Sequence, residues 1–278
     1  MKFFIPISLG VFAFFSMKVD ANGVCYDPNH ADVVNDSTMQ ADMKLILSAG
    51  FDSVRTYIAK FGNTELGPII ASAGLKAVLG VPYPQDGYQE QMEAAIKAAN
   101  AGGVSAIMVG NENLANANSV PREMIDIINQ IKARAPVTVR VGTVQRNTEV
   151  IDWQSVSGWT ELVAACDVLG VNVQPVFSPG MTGESAINLV KEEWQIMYGQ
   201  FGDKLILTET GWPSSGFVSG NVCSISGELT FYNAYKQWIT PANESYYFQM
   251  FDMPYKTQLF EQSFGLYTSD GKFKQVTS

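Results

Sequence analysis

One pattern repeats along almost the whole chain: a short apolar run, a polar or glycine-rich exit, and then a segment with apolar residues at helical spacing. Strands that alternate with helices favour a parallel sheet, because parallel neighbours need a crossover that a helix supplies. Eight repeats predict an α/β fold, a closed (β/α)8 TIM barrel; an open, doubly wound sheet is the alternative. The predicted strands span 23–26, 53–58, 75–83, 104–110, 137–144, 167–177, 205–208 and 245–256.

The length of 278 residues fits a single barrel domain, which we place at residues 22–278. With 46% hydrophobic and 16% charged residues, the chain predicts a filled core rather than disorder. The first strand is followed by DPNH, without the glycines of a dinucleotide-binding turn. The formal charge of −9 disfavours nucleic acid and anionic membranes as partners, whereas a neutral polymer is compatible with it.

The N-terminus reads as a secretory signal peptide. A basic start at Lys2 precedes an apolar run that ends near Met17, and small residues up to Ala21 form a cleavage site. We therefore expect residues 1–21 to be removed and the protein to be secreted to the extracellular space or the cell wall. A membrane anchor is the alternative, but the run is shorter than the roughly 20 residues that a span needs.

Cysteine, histidine and sequon positions add further expectations. With Cys25, Cys166 and Cys223, at most one disulfide can form within the chain, and the sequence does not decide which two cysteines would form it. A single histidine, His30, removes multi-histidine metal sites, and we expect no metal and no cofactor. Two glycosylation sequons, beginning at Asn35 and Asn243, predict surface positions if they are used.

The carboxyl ends of all eight barrel strands open on one face, which carries the site in such folds. A large apolar or charged side chain there is a candidate for substrate contact, although each aromatic ring can equally be packing. The residues at these ends are Tyr26, Asp27, Arg55, Tyr57, Tyr83, Asn111, Glu112, Gln145, Asn172, Gln174, Glu209, Trp212, Asp252 and Lys256.

Two carboxylates follow the fourth and seventh strands, Glu112 in VGNENL and Glu209 in LTETGWPSSG. A charge at the exit of a buried strand costs solvation energy, so it is expected where the strand opens on a wet cleft. Neighbouring carboxyl groups differ in pKa, because like charges disfavour ionising both. Such a pair fits cleavage of a glycosidic bond, in which one group donates a proton and the other attacks. The alternative for Glu209 is a strand-end side chain that simply faces solvent.

The two motifs together resemble glycoside hydrolase family 17, the β-1,3-glucanase family, and in particular its fungal-type members that act on cell-wall glucan. Weaker resemblances follow in order along most of the chain: GVCY, VRTY, VNVQP and FEQSFGLYTSDGKFK. The resemblance implies a (β/α)8 barrel and retention of anomeric configuration. By motif position it implies Glu112 as the general acid/base and Glu209 as the nucleophile.

Substrate contacts are also implied by the resemblance. Asn111 resembles the amide that binds the substrate's 2-hydroxyl group, and Tyr57, Asn172 and Trp212 resemble sugar contacts. We add Tyr26, because an aromatic ring at a cleft can stack on a sugar face.

The eighth predicted strand both keeps and loses features of the fungal-type pattern. Asp252 and Lys256 are retained, either as substrate contacts or as a simple ion pair. Gln249 and Met253 stand where Glu is expected, and fewer carboxyls near the site would change the pKa of the acid and the pH optimum. Glu261 resembles a family Glu but lies beyond the eight strands, so we assign it a structural role. Among the remaining strand-end residues, Arg55 is expected to orient a carboxylate, and Tyr83 and Phe177 to belong to the core or the rim.

These expectations describe a secreted, retaining β-1,3-glucan-active hydrolase that is monomeric and binds glucan polysaccharide or oligosaccharides. If a glucan hydroxyl replaces water as the acceptor, the same site is a transglycosylase. Two further readings compete with both: a non-catalytic barrel that binds wall glucan, and a related barrel glycosidase that acts on mannan or cellulose.

Overall fold

The computed structural model describes residues 22–238 and 244–276. The predicted signal peptide over residues 1–21 and the sequon residue Asn243 lie outside these ranges. Eight strands, each parallel to both neighbours, close into a barrel in the order in which they follow along the chain. The (β/α)8 prediction is thereby confirmed, and the open sheet is excluded.

Each barrel strand is a run of buried, mostly apolar residues, as expected for strands that are covered on both faces. The third strand, for example, buries five of its six residues. The strands are β1 (Asn22–Cys25), β2 (Ser53–Arg55), β3 (Lys76–Val81), β4 (Val104–Asn111), β5 (Arg140–Arg146), β6 (Val168–Asn172), β7 (Leu205–Thr210) and β8 (Ser245–Tyr247). Two short hairpins, 60–65 and 217–222, stand outside the barrel.

The helices cover the outside of the barrel through an apolar face. The helix Arg122–Lys132 shows the pattern, since its buried Met124, Ile127, Ile128 and Ile131 recur at i, i+3, i+4 and i+7. The helices of the described chain are α1 (Asp36–Ser48), α2 (Leu66–Ser72), α3 (Tyr88–Ala101), α4 (Arg122–Lys132), α5 (Asn147–Ile151), α6 (Trp159–Ala165), α7 (Ala186–Phe201), α8 (Ile225–Trp238) and α9 (Leu259–Gln262).

Several predicted strands have different bounds in the structure: the second, predicted over 53–58, ends at Arg55, and the sixth, predicted over 167–177, ends at Asn172. The fifth was predicted from residue 137, but Val137 is fully exposed in the turn that follows α4, and β5 begins at Arg140. The eighth was predicted over 245–256, but β8 ends at Tyr247. Beyond it, Gln249 and Met250 exchange backbone hydrogen bonds with Phe264, Leu266 and Tyr267, because the chain's last segment returns to pair with them.

The barrel interior is filled by side chains. Strand residues that point inward form a core distinct from the larger one between strands and helices: Cys25, Val78, Ala106, Met108, Val144, Val168, Ile206 and Tyr246. A ligand therefore has to bind above this layer, at the carboxyl ends of the strands.

No helix of the described chain is long and apolar enough to cross a membrane. Cys25, Cys166 and Cys223 are all buried, and none of them forms a disulfide.

Candidate active site

A cleft at the carboxyl ends of the strands contains both predicted carboxylates. Glu112 follows the last residue of β4, and Glu209 is the fifth residue of β7. Both line the same cleft, whose volume is about 310 Å³. That volume lies within the usual range of sites for small ligands.

Glu209 is held by three side-chain donors. The Arg55 guanidinium donates to Oε1 at 2.6 Å, and the Tyr57 hydroxyl donates to the same oxygen at 3.0 Å. The Gln174 amide donates to Oε2 at 3.2 Å. Arg55 is only 2% exposed and Glu209 only 6% exposed, so this is a buried ion pair, and the Tyr57 and Gln174 donors add to it on the carboxylate side. Every donor favours the ionised carboxylate, and the prediction that Arg55 orients a carboxylate is confirmed.

A chain of amide hydrogen bonds connects the two carboxyl groups. Arg55 Nη2 donates to Asn111 Oδ1 at 2.6 Å, and Asn172 Nδ2 donates to the same oxygen at 3.2 Å. Asn172 Nδ2 also donates to Glu112 Oε1 at 2.8 Å. Arg55, Asn111 and Asn172 thus link Glu209 to Glu112 through consecutive hydrogen bonds, so we expect a displacement of one carboxyl group to shift the other.

Glu112 has a different environment. The Asn172 amide is the one side-chain donor it meets in the described chain, and no cation forms an ion pair with it there. Burial raises the pKa of Glu112, and the negative charge of Glu209 raises it further; the Asn172 hydrogen bond and the charges of Arg146 and Arg55 oppose this in part. The cleft thus holds one carboxyl group whose pKa is raised beside one that accepts hydrogen bonds from three side-chain donors. That combination can protonate a leaving oxygen and attack a carbon at the same time.

The backbone at the end of β4 is shaped for this placement. Glu112 has φ +56°, in the left-handed region that a residue with a Cβ seldom adopts. Gly110, two residues earlier, has φ +75°, and a Cβ there would lie 2.2 Å from the Asn113 side-chain oxygen. Only glycine fits at this position, and the resulting kink sets the direction in which Glu112 leaves the strand.

A sequence profile of the family described as the BtgE/BtgC glycoside hydrolase domain matches residues 23–265. The chain belongs to this glycoside hydrolase family. The resemblance to fungal-type members of glycoside hydrolase family 17 is confirmed.

Three similar proteins illustrate the relationship. The protein named "Probable beta-glucosidase btgE" of Aspergillus clavatus is 29% identical over 205 residues, which are 71% of this chain and 36% of that protein. "Probable family 17 glucosidase SCW10" of Saccharomyces cerevisiae is 25% identical over 206 residues, 72% of this chain and 52% of that protein. The chain therefore spans about a third to a half of these relatives' length.

Among solved structures, an active-site mutant of Rhizomucor miehei beta-1,3-glucanosyltransferase in complex with laminaritriose superimposes with a TM-score of 0.74 at 23% identity, covering 91% of this chain and 94% of that one. The likeness shows that the two proteins share the barrel fold.

Three of the predicted sugar contacts of this glycoside hydrolase lie around the carboxyl pair. Tyr57 lines the cleft beside Glu209. Asn111 also lines it; its oxygen accepts from Arg55 and Asn172, and its Nδ2 group makes no hydrogen bond to the described chain. Asn172 is 2% exposed, and its amide is occupied by Glu112, Asn111 and the Thr208 hydroxyl. We correct its role from sugar contact to support of the Glu112 carboxyl.

Two predicted sugar contacts are in the core instead. Tyr26 is 1% exposed, and its hydroxyl donates to Asp42 at 2.8 Å. Trp212 is 0% exposed and packs against α8, where a Cβ added to Gly227 would lie 3.1 Å from the indole nitrogen. A side chain without accessible surface cannot touch a sugar in this conformation, so both predictions are corrected.

Asp252 and Lys256 separate from one another. Asp252 forms an ion pair with Lys274 at 2.7 Å; within the described residues it makes no ion pair with Lys256 and does not line the main cleft. Lys256 is exposed, lines the cleft, and places its ammonium group 5.3 Å from the centre of the Tyr255 ring. The predicted ion pair between Asp252 and Lys256 is therefore wrong. The last segment of the chain packs beside Asp252 and supplies Lys274 as its partner.

The residues that depart from the fungal-type pattern do line the cleft. Gln249 and Met253, which stand where the fungal-type pattern has Glu, are both buried at its wall. Glu261 also lines the cleft, from α9 outside the barrel. Its position beyond the eight strands is as predicted, and its role stays a prediction.

Several cleft residues were not predicted as site residues from the sequence. Gln174 had been noted at a strand end, but its hydrogen bond to Glu209 was not foreseen. The remainder are aromatic and come from the segments that follow the barrel strands, where periodicity gives no signal: Phe177, Phe248, Tyr255, Phe260 and Phe264. Phe177 is half exposed and meets Phe260 edge to face, which places it on the rim. Tyr83 is 6% exposed and lies in an adjoining pocket.

Asn35 is exposed and caps the N-terminus of α1 through hydrogen bonds from the Ser37 and Thr38 amides. Its glycosylation stays a prediction. Among the described residues, no three histidine, cysteine, aspartate or glutamate side chains cluster as they would around a metal ion.

Proposed function

We propose that this protein is a retaining glycosidase that cleaves β-1,3-glucan by double displacement. In the first step Glu209 attacks the anomeric carbon while Glu112 protonates the departing sugar oxygen. In the second step Glu112 takes a proton from the incoming water, which displaces Glu209 from the sugar. The first step needs Glu112 protonated and Glu209 ionised; in the second step Glu112 is ionised while Glu209 is bonded to the sugar.

The observation that carries this proposal is the contrast between the two carboxyl groups in one cleft. Glu209 accepts hydrogen bonds from Arg55, Tyr57 and Gln174, so it is prepared to be an anion. Burial and the neighbouring Glu209 raise the pKa of Glu112, so it is prepared to be an acid. A retaining enzyme further requires about 5–5.5 Å between the carboxyl groups, which leaves no room for water between nucleophile and sugar.

The substrate is argued from the lining of the cleft. Aromatic rings such as Phe248, Phe260 and Tyr255 offer flat apolar faces that match the faces of glucose rings. The unoccupied Asn111 amide is a donor for a sugar hydroxyl beside the nucleophile. The Rhizomucor miehei protein with the same fold is a beta-1,3-glucanosyltransferase bound to laminaritriose, which supports β-1,3-glucan as the polymer.

Transfer to a second glucan is the alternative outcome of the same chemistry. Aromatic cleft walls favour a sugar acceptor over water, because water gains nothing from an apolar face. The edge-to-face pair of Phe177 and Phe260 at the rim extends such a wall outward from the carboxyl groups. On this observation, glucan transfer is the second candidate function.

Incubation of the purified chain with laminari-oligosaccharides of one defined length tests the proposal. Shorter products alone indicate hydrolysis, and products longer than the input indicate transfer. The NMR signal of the first anomer released reports retention or inversion. The matched variant Glu209→Gln should release nothing. Absence of any product from the wild type, or equal turnover of mannan or cellulose, contradicts the proposal.

Secretion belongs to the same proposal and rests on the basic, then apolar, N-terminal sequence. N-terminal sequencing of the exported protein should begin at Asn22. We also propose that the protein acts as a monomer, which its mass in solution would test.

A further inference from the structure

The loop that carries Glu112 is unusual in its backbone. Glu112 and Asn116 have φ values of +56° and +59°, both in the left-handed region that strains a residue with a Cβ. Two such residues within five persist only where the surroundings fix them. The contacts of this loop therefore show what holds the acid in place.

Three alternate amides of the loop are fixed by one neighbouring segment, the end of β5 and the start of α5. Glu112 N–H donates to the Val144 carbonyl at 2.9 Å, and Leu114 N–H donates to the Gln145 side-chain oxygen at 3.0 Å. Asn116 N–H donates to Glu149 Oε1 at 3.1 Å. The third contact comes from a charged group that the proposed reaction does not use.

Glu149 also holds a guanidinium group. Arg146 donates from Nε to Glu149 Oε2 at 2.9 Å and from Nη2 to Oε1 at 2.5 Å, so the pair is bidentate. The Glu149 residue is only 8% exposed. Burial alone would raise the pKa of Glu149, but the Arg146 and Asn116 hydrogen bonds lower it to about 2. Glu149 is therefore an anion wherever the enzyme is folded, and it keeps Arg146 engaged.

Arg146 lies next to the acid. It pairs in register with Asn172, the residue whose amide donates to Glu112 at 2.8 Å. The charged groups that act on Glu112 are Glu209 from β7, Arg55 from β2 and Arg146 from β5. Of the two cations, Arg55 is committed to Glu209 and Asn111 inside the barrel. Arg146, about one-third exposed, is paired with Glu149, so it is the cation that a change at Glu149 would release.

We propose that Glu149 is a positioning residue for the general acid, because it fixes the 112–116 loop through Asn116 and holds the Arg146 guanidinium away from the Glu112 carboxyl group. The inference rests on the proposed function, in which Glu112 is the acid. Its consequence is that removing the charge of Glu149 releases Arg146, which then stabilises ionised Glu112 and weakens it as an acid.

The test compares pH profiles of kcat/KM, whose alkaline limb reports deprotonation of the acid in the free enzyme. In Glu149→Gln the limb should move to lower pH by about one unit, the scale of a new arginine contact. In Arg146→Gln it should move to higher pH, because a cation that opposed protonation is gone. The double variant should not show the downward shift. The control is Glu93→Gln, which breaks a bidentate pair with Arg134 on the outer surface and should leave the limb unchanged.

A fall in kcat with an unmoved limb in Glu149→Gln would overturn the inference, as would a downward shift that persists in the double variant. If Glu149→Gln fails to fold, Arg146→Gln alone still decides, since an unmoved limb there also overturns it. A carbon-NMR titration of the Glu112 carboxyl group, assigned with Glu112→Gln, gives the same comparison without turnover. A wild type that cleaves no glucan thus contradicts the proposed function while the titration still tests Glu149.

Discussion

Glu209 and Glu112 are the same side chain at the ends of two strands of one barrel, but their surroundings differ in almost every respect. Glu209 meets a buried guanidinium, a phenol and an amide, and the distances from them are 2.6 to 3.2 Å. Glu112 meets one amide and a neighbouring negative charge. The backbone differs too, since Glu209 lies within β7, whereas Glu112 follows the end of β4 and has a left-handed φ of +56°.

The difference indicates that the surroundings of each carboxyl group decide which of the two proposed roles, acid or nucleophile, it takes. Donors that converge on one group stabilise its charge, whereas burial beside that charge favours the proton on the other. The hydrogen-bond chain through Arg55, Asn111 and Asn172 makes the two environments one unit. Changing one member should therefore alter both groups, and the following experiments test the contrast.

The largest effect is expected from replacing either carboxyl group at the site, and the two replacements should differ in their kinetics. Glu209→Gln should lower kcat by about 10⁴-fold or more on every substrate, because no nucleophile remains. Glu112→Gln should lower glucan cleavage by about 10²- to 10⁴-fold, the usual contribution of a general acid. On an aryl glucoside whose leaving group needs no proton, Glu112→Gln should still show a burst of released phenol.

The stopped-flow burst decides this comparison. Equal loss of the burst in both variants would contradict the assignment of separate roles, and a burst in Glu209→Gln alone would reverse them.

A smaller effect is expected from Arg55→Lys, which keeps the charge but cannot contact Glu209 and Asn111 together. Loss of a charge-assisted hydrogen bond in this setting should lower kcat/KM by about 10- to 100-fold. The matched control is Arg122→Lys, which alters an exposed pair with Asp126 on α4. Steady-state kinetics beside a thermal melt would check the result. Wild-type kinetics in Arg55→Lys would show that the link between the carboxyl groups does no catalytic work.

The contrast between predictable and unpredictable features of this molecule has a physical basis. The eight strands and both carboxylates followed from local pattern, because a buried strand must be an apolar run and its exit is marked by turn residues. The site's other contacts depend on segments far apart in the chain. Asp252 pairs with Lys274 because residues 264–267 return along residues 249–252, which no local periodicity records.

The direction in which a side chain points, and the residue at which a strand begins, also could not be predicted from the local sequence. Trp212 stands at a strand exit like a cleft residue, but its ring turns toward α8 and is 0% exposed. Val137 opens a β-branched run that predicts a strand, yet it lies in a turn and is fully exposed. Local sequence did not decide whether Trp212 faces the cleft or α8, or where β5 begins. In both cases the contacts with the rest of the fold decide.

Glu228 is another buried carboxyl group, outside the cleft, and its replacement should change stability without changing catalysis. Glu228 is 0% exposed on α8, and burial raises its pKa to about 8, although Lys274 at 3.4 Å opposes this. Since the folded value exceeds the unfolded value of about 4.3, the stability from this group is complete below that pH and is lost as pH rises through about 8. Glu228→Gln should therefore melt a few degrees above the wild type at pH 9 and gain less at pH 5.

Melting curves of Glu228→Gln at the two pH values test this sign, with Glu90→Gln as the exposed control. An equal change in Tm at both pH values would refute the assignment of a raised pKa.

The left-handed backbone of Glu112 sets folding against chemistry. A residue with a Cβ at φ +56° carries strain of about 1–3 kcal/mol, whereas glycine adopts this conformation readily. On the proposed function, the acid is therefore kept at this position at the expense of folding stability. Glu112→Gly should relieve the backbone strain and give a barrel that is more stable and inactive.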